Sequence, residues 1–449
     1  MAVHETMKEL SRPTCVHVLA TIQGTQRAAE AHTRHTTEKI CEEKMSCNSH
    51  VNHTLYTVVR MDLFYVAQIV IAGEKRRARA TPATPATPKS SSSICPTAVF
   101  TFADSLSDGG NRDIEAGGGK TLSGRYPYGI TYGKPTGRYC DGLVIPDLLL
   151  QKLRLDNLGT PSLKYNGTEF ESLNFGYAGA TVIKVENQPY SSPHVLSAQV
   201  DDFVRHQEFV EGRYGRQASK PWYENALYSV EIGGDDINFG LPLGGGHVIN
   251  VTIPAVIQGL ADGIQKLYAH GARHVVLYNM PRADCSPNYL QSFQQYPAGT
   301  FHYDKDGCIV EIAQIISYFN TNIQRLTEEL TQKYQGLTVY YFDWFAANTY
   351  VLENMKEFGF TNSLQSCCGG GGKFNCDGEG LCGCAPLNQT NAVYTVCKDP
   401  SKYFTFDGIH YTEHFYEIMS EYIMAGEYIT PKVKLEMGCK IVTVPESPL

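Results

Sequence analysis

From Cys95 onward, short apolar runs alternate with longer stretches whose apolar residues recur at helical spacing. Ala98 to Phe102 is a strand candidate, and Ala226 to Ile232 is another, ending in Gly233-Gly234. Val256 to Ala269 has the helical period and stops at Gly271. His274 to Met280 then reads as a strand halted by Pro281. Ile309 to Tyr334 is a long helix candidate, Leu337 to Phe342 a β-branched and aromatic strand, and Thr412 to Ala425 a closing amphipathic helix. This alternation predicts an α/β fold with a mostly parallel sheet covered on both faces. Ligands of such sheets collect at the carboxyl ends of the strands. Ser105 follows one predicted strand end and Asp235 another, so both are expected at one cleft. Ser191 to Phe209 and Leu241 to Ile249 are expected to be loops that shape what such a cleft accepts.

Residues 1–94 read differently. They are rich in His, Thr and Glu, lack a sustained apolar period, and end in a Thr-Pro-Ala tract (Thr81 to Pro88) and a serine run. Such a tract cannot form a packed core and reads as a linker. Leu63 to Ala72 is apolar, but its basic residues Lys75, Arg76, Arg77 and Arg79 follow it. A signal peptide carries its positive charge before the apolar segment. Starting at Met61 gives only a poor signal-like segment. The expected organisation is a low-order extension (1–94), an α/β domain (95–430) and a tail (431–449).

Composition narrows the function classes. With 42 % hydrophobic and 19 % charged residues the chain is ordinary globular protein. Its net charge of −8 is spread without a long block. No concentration of Lys and Arg suits nucleic acid, and no stretch approaches the ~18–20 apolar residues that span a bilayer. Of 14 cysteines, Cys367, Cys368, Cys376, Cys382, Cys384 and Cys397 crowd one region. Clustered thiolates can hold zinc, but no regular C-x2-C pair repeats, which favours disulfides. Asn52, Asn166, Asn250 and Asn388 begin glycosylation sequons, compatible with secretion.

Two motifs carry the chemistry. Phe102-Ala103-Asp104-Ser105-Leu106-Ser107-Asp108-Gly109-Gly110-Asn111 puts a serine just beyond a buried strand, and Phe406-Asp407-Gly408-Ile409-His410 supplies an aspartate and a histidine three positions apart. A serine hydroxyl becomes nucleophilic when a neighbouring base takes its proton. Asp407 can reach Nδ1–H of His410 within one tight turn, fixing the tautomer and leaving Nε2 for Ser105. Charge developing on the substrate carbonyl oxygen needs fixed N–H donors. The Ser105 amide is one candidate. Gly179, in Asn174-Phe175-Gly176-Tyr177-Ala178-Gly179-Ala180, is a second, because a residue without a side chain permits close approach.

From about Thr97 to about Gly426 these motifs resemble a plant GDSL esterase/lipase of the SGNH hydrolase superfamily. The resemblance rests on Phe102 to Asn111, Pro127-Tyr128-Gly129, Lys134 to Gly142, Asn174 to Thr181, Glu231-Ile232-Gly233-Gly234-Asp235-Asp236, Cys367-Cys368-Gly369 and Asp407 to His410. It is nearest the branch with early-nodulin-like esterases and proteins once labelled α-fucosidases. It implies a three-layer α/β/α sandwich and a Ser105, His410, Asp407 triad, with Gly179 as second oxyanion donor. It also implies a secreted, glycosylated monomer that needs no metal or cofactor and hydrolyses small-molecule or polysaccharide esters. The alternative is a catalytically weak carbohydrate-binding protein on the same fold. A glycosidase needs two opposed carboxyl groups, and Asp235 and Asp236 are merely adjacent.

Two positions depart from the pattern. Ala103 replaces the glycine of GDSL, a small change with little expected loss. Asp235 replaces an asparagine whose amide donates to the oxyanion; an ionised carboxylate has no donor and repels the developing charge. The favoured expectation is that two backbone donors suffice and that Asp235 points away while Asp236 holds its loop.

Overall fold

A computed structural model describes residues 92–155, 158–166, 170–185, 191–377, 382 and 394–438. Nearly all of the N-terminal extension therefore lies outside the described residues, as do Asn52 and Asn388.

Seven strands form the central sheet: β1 (Val99–Ala103), β2 (Thr160–Pro161), β3 (Leu173–Asn174), β4 (Leu227–Glu231), β5 (His274–Tyr278), β6 (Thr338–Phe342) and β7 (Ile429–Thr430). Their order is β7-β6-β5-β4-β1-β3-β2. Every pairing is parallel except that of β7 with β6. The chain runs outward from β1 to β2, returns through β3, and crosses to β4 on the other side of β1. The order thus reverses at β1, and at such a switch a crevice opens beyond the carboxyl ends of the strands.

Alternation along the strands builds two cores. Phe100, Phe102, Tyr228, Val230, Val275, Leu277, Val339 and Tyr341 face one side. There they pack against α2 (Leu196–Tyr214), α3 (Ile253–Ala269) and α4 (Val310–Lys333). Val99, Leu227, Val276, Tyr278, Tyr340 and Phe342 face the other side, against α1 (Ile145–Leu153) and α5 (Glu413–Ala425). Successive strand residues point to opposite faces, so a strand covered on both sides carries apolar residues on both of them. The result is the expected α/β/α sandwich.

The predicted strands and helices lie within a few residues of their expected bounds, with one exception. Most of Ser191 to Phe209 belongs to helix α2 rather than to a loop. Leu196, Val200, Phe203 and Val210 are buried along it. Their spacing is that of a helix face, but intervening charged residues dilute it. Leu241 to Ile249 holds short helical turns.

Two small strand pairs lie outside the main sheet. Ser92–Ile94 runs parallel to Val433–Leu435, so residues on both sides of the expected domain limits pair with each other. Cys368–Gly369 pairs with Thr395–Val396. Disulfides join Cys285 to Cys308, Cys367 to Cys397 and Cys368 to Cys382. The Cys367 and Cys368 amides donate to the carbonyls of Thr405 and Phe406 at 3.0 and 2.6 Å. The cross-linked segment therefore braces the chain just before Asp407.

Candidate active site

Ser105 lies two residues beyond β1. The end of that strand is clamped by Gln199 of α2, whose Oε1 accepts from the Ala103 amide at 2.8 Å and whose Nε2 donates to the Ala103 carbonyl at 2.9 Å. Ala103 is fully buried. Its methyl has room because Gly176 lies opposite: a Cβ on Gly176 would come within 3.0 Å of it. The alanine therefore fits where glycine was expected.

His410 reaches Ser105 from the loop before α5. Its backbone carbonyl accepts from the Phe406 amide at 2.7 Å, closing a tight turn around Gly408. Nε2 of His410 lies 2.7 Å from Ser105 Oγ, and Nδ1 lies 2.6 Å from Asp407 Oδ2. Asp407 Oδ1 accepts from the amides of Ile409 (3.0 Å) and His410 (2.8 Å), and Oδ2 also accepts from the Tyr128 hydroxyl at 2.8 Å. Burial opposes its charge, but His410 and these donors outweigh it and hold the carboxyl below its usual range. An ionised Asp407 accepts from Nδ1–H, which leaves Nε2 unprotonated toward the serine.

A second network links the serine loop to the glycine block. Asp108 is fully buried. It accepts from the amides of Gly110 and Asn111 at 2.7 Å, of Arg112 at 3.3 Å and of Ala178 at 2.9 Å. Asn111 Nδ2 donates to the carbonyls of Asn174 and Gly176, and Asn174 Nδ2 to that of Ser107. Gly179 follows Ala178 at φ 81°, a conformation that disfavours residues with a Cβ. Among the described residues, neither the Ser105 nor the Gly179 amide donates to a protein acceptor. Most backbone N–H groups shielded from water are paired, so two half-buried unpaired amides on tied loops are available donors. Gly179 itself does not line the cleft described next.

That cleft has a volume of about 90 Å³ and opens beside Ser105 at the ends of β1, β4 and β5. Asp104, Glu231 and Asp235 line it, with Ile232, Met280 and Ile409 among its apolar residues. The expectation that Asp235 points away is corrected here. The short helix Gly234–Gly240 begins after Gly233 at φ 118°, and its first turn directs Asp235 into the cleft. Asp236 does hold a loop: its carboxylate accepts from the Val182 and Ile183 amides at 2.8 and 3.0 Å. Burial pushes the Asp235 pKa up to about 6, partly offset by His410 and Arg112. Burial raises Asp236 to about 7 against its two amide donors. Asp104 and Glu231 are pushed well up by burial and then by neighbouring carboxyls.

Comparison with known proteins now decides the family. The GDSL-like lipase/acylhydrolase profile matches residues 99–423. The chain belongs to that family. It is 30 % identical over 361 residues to acetylajmalan esterase 2 of Rauvolfia serpentina, covering 77 % of this chain and 93 % of that protein. It is 29 % identical over 331 residues to GDSL esterase/lipase ENOD8 of Medicago truncatula, covering 70 % and 83 %. It is 28 % identical over 360 residues to GDSL esterase/lipase ACHE of Zea mays, covering 76 % and 88 %. As a GDSL esterase/lipase it is a hydrolase acting on ester bonds.

Sequence reasoning named the residues around Ser105 in this GDSL chain but not those that position them. Tyr128, Asp108 and Gln199 were missed as positioning groups. Asp108 had a usable signal, because an aspartate two and three residues before Gly110 and Asn111 is spaced to cap a turn. Tyr128 and Gln199 had none, since their partners lie 279 and 96 residues away. Among the described residues, the one metal-like group, Asp284 with Cys285 and Cys308, has its sulfurs joined as a disulfide.

Proposed function

We propose that this GDSL hydrolase is a serine esterase that works through an acyl-enzyme. His410 takes the proton of Ser105 as Oγ attacks the ester carbonyl carbon, and Asp407 stabilises the resulting imidazolium. The Ser105 and Gly179 amides hold the oxyanion. His410 returns the proton to the departing alcohol. Water then attacks the acyl-enzyme by the reverse proton route and releases the acid, freeing Ser105.

The observation that carries the reading is the 2.7 Å contact between His410 Nε2 and Ser105 Oγ. It lies within the range a general base needs. The Rauvolfia relative is named for an acetylated compound, which favours a short acyl group. The disulfides support an oxidising, extracellular location. Asn166 and Asn250 are exposed, as glycosylation requires, and no helix among the described residues is long and apolar enough to cross a membrane.

The test is a Ser105→Ala variant assayed on short acyl esters beside the wild type, with labelling by a serine-directed phosphonate. Wild type is expected to be labelled at Ser105 and to lose activity. The variant is expected to escape labelling and to fall about 10⁴-fold or more in kcat. Unimpaired hydrolysis by the variant overturns the assignment.

A further inference from the structure

Gly179 lies in the turn Tyr177-Ala178-Gly179-Ala180, and the backbone polar groups of that turn can be followed one by one. The Tyr177 amide donates to the Ala103 carbonyl at 3.0 Å, and the Tyr177 carbonyl accepts from the Ala180 amide at 3.0 Å. The Ala178 amide donates to Asp108 Oδ2 at 2.9 Å. The Gly179 carbonyl accepts from the Ser192 amide at 3.0 Å. The Ala178 carbonyl is held by a cation: it accepts from Arg112 Nη1 at 2.7 Å. Of these groups only the Gly179 N–H has no partner among the described residues.

The cation-held carbonyl and the free N–H belong to one peptide unit, which is trans. A trans peptide is planar, and its C=O and N–H point in opposite directions. Holding the oxygen therefore sets the direction of the Gly179 N–H. A charged donor on the oxygen also polarises the peptide, since linked hydrogen bonds strengthen one another. Arg112 is placed to do both. Its own amide rests on Asp108 at 3.3 Å, the carboxylate that also takes the Ala178 amide. Among the described residues it forms no ion pair, so no carboxylate neutralises the guanidinium at contact distance. Its charge also reaches the catalytic centre. Against the burial that pushes both groups up, Arg112 favours the ionised forms of Asp235 and of Tyr139, whose ring lies 5.0 Å from that of His410.

Building on the serine-esterase reading, we infer that Arg112 is a positioning residue for the oxyanion: it locks the Ala178–Gly179 peptide with its N–H toward the substrate oxygen and strengthens that donor. The arrangement answers the change at Asp235. An asparagine there would add a side-chain amide to the oxyanion hole. This chain instead polarises one backbone amide from behind, through a guanidinium that never touches the substrate.

The experiment removes the guanidinium and reads the transition state separately from binding. Arg112→Met keeps the length of the side chain but has neither donor nor charge. Its kcat on a neutral acetate ester is expected to fall about 10–10²-fold, less than for loss of a direct oxyanion donor, with KM within about twofold of wild type. Arg112→Lys keeps a charged donor and is expected to recover most of that loss. A trifluoromethyl ketone supplies the second readout. Ser105 Oγ adds to its carbonyl carbon, His410 takes the proton, and the carbonyl oxygen becomes a hemiketal oxyanion. Its inhibition constant is expected to weaken in step with kcat. An unchanged kcat overturns the inference. So does a raised KM at constant kcat, which would make Arg112 a substrate-binding group. A fall in kcat without weaker ketone inhibition overturns it too, as does Arg112→Lys no better than Arg112→Met. If Arg112→Met does not fold, Arg112→Gln, which keeps a neutral donor, takes its place with an expected loss of about three- to tenfold in kcat; no loss overturns the inference. Failure of the esterase reading looks different: the wild type itself cleaves no ester and Ser105 is not labelled, and the role of Arg112 falls with it.

Discussion

Two clusters share one sheet edge, and they are built in opposite ways. Around Asp407, hydrogen bonds converge on a buried carboxylate from two amides, a phenol and an imidazole. Around Asp235 and Glu231, buried acids face the cleft with few donors. The first cluster is complete before any substrate arrives, as preorganised proton transfer demands. The second lacks such donors among the described residues. Burial is common to both, so pairing decides the charge: donors hold Asp407 in its ionised form, and their lack lets burial drive Asp235 toward its neutral one.

The sharpest way to break the paired cluster is Asp407→Asn. It keeps the shape but favours the wrong imidazole tautomer, and kcat is expected to fall about 10³–10⁴-fold on a neutral acetate ester. A loss below tenfold would show that Asp407 does not orient His410.

The unpaired cluster should respond in the opposite direction. Asp235→Asn restores an amide donor, and turnover of a neutral ester is expected to rise about 10–10²-fold at pH 8, somewhat less than the usual worth of one oxyanion donor. The gain should depend on pH. Asp235 faces His410 and Arg112, which favour its charge, and Asp104, Asp236 and Tyr289, which do not gain from it. Below about 6 it keeps a proton and can donate; as pH rises through about 6 it loses the proton and the donor. The ratio of variant to wild-type rate is therefore expected to climb from pH 5 to pH 8. A flat ratio would show that Asp235 does not act on the oxyanion.

Tyr128→Phe removes one donor from Asp407 and leaves the others, so a loss of about two- to tenfold in kcat is expected. A loss as large as that of Asp407→Asn would mean that the phenol, not the amides, positions the carboxylate.

The smallest effect concerns stability. Asp235 and Asp236 have folded-state pKa values near 6 and 7, above those of an unfolded chain. Their protonation stabilises the fold fully below about pH 4, and that stability is lost as pH climbs through their folded values. Tm is expected to be lower at pH 8 than at pH 5.5, by less in an Asp235→Asn variant. Equal pH dependence in the two proteins would show that Asp235 titrates normally.

Local sequence determined a good deal of this molecule. Apolar runs with flanking glycine and proline marked β1, β4, β5 and β6, because strands covered on both faces carry apolar residues on both of them. Helices α3, α4 and α5 showed their period plainly; α2 did not, because charges interrupt its buried stripe. The Asp407 and His410 pair was legible because both residues lie in one tight turn. Only tertiary structure could bring Ser105 to that pair across 305 residues. It also set Tyr128 on Asp407, Gln199 on Ala103 and Asp108 on Ala178. Whether Asp235 faced the cleft or turned from it was a matter of one helix turn after Gly233. Residue identity fixes what a side chain can donate or accept, but its direction depends on the backbone packed beneath it.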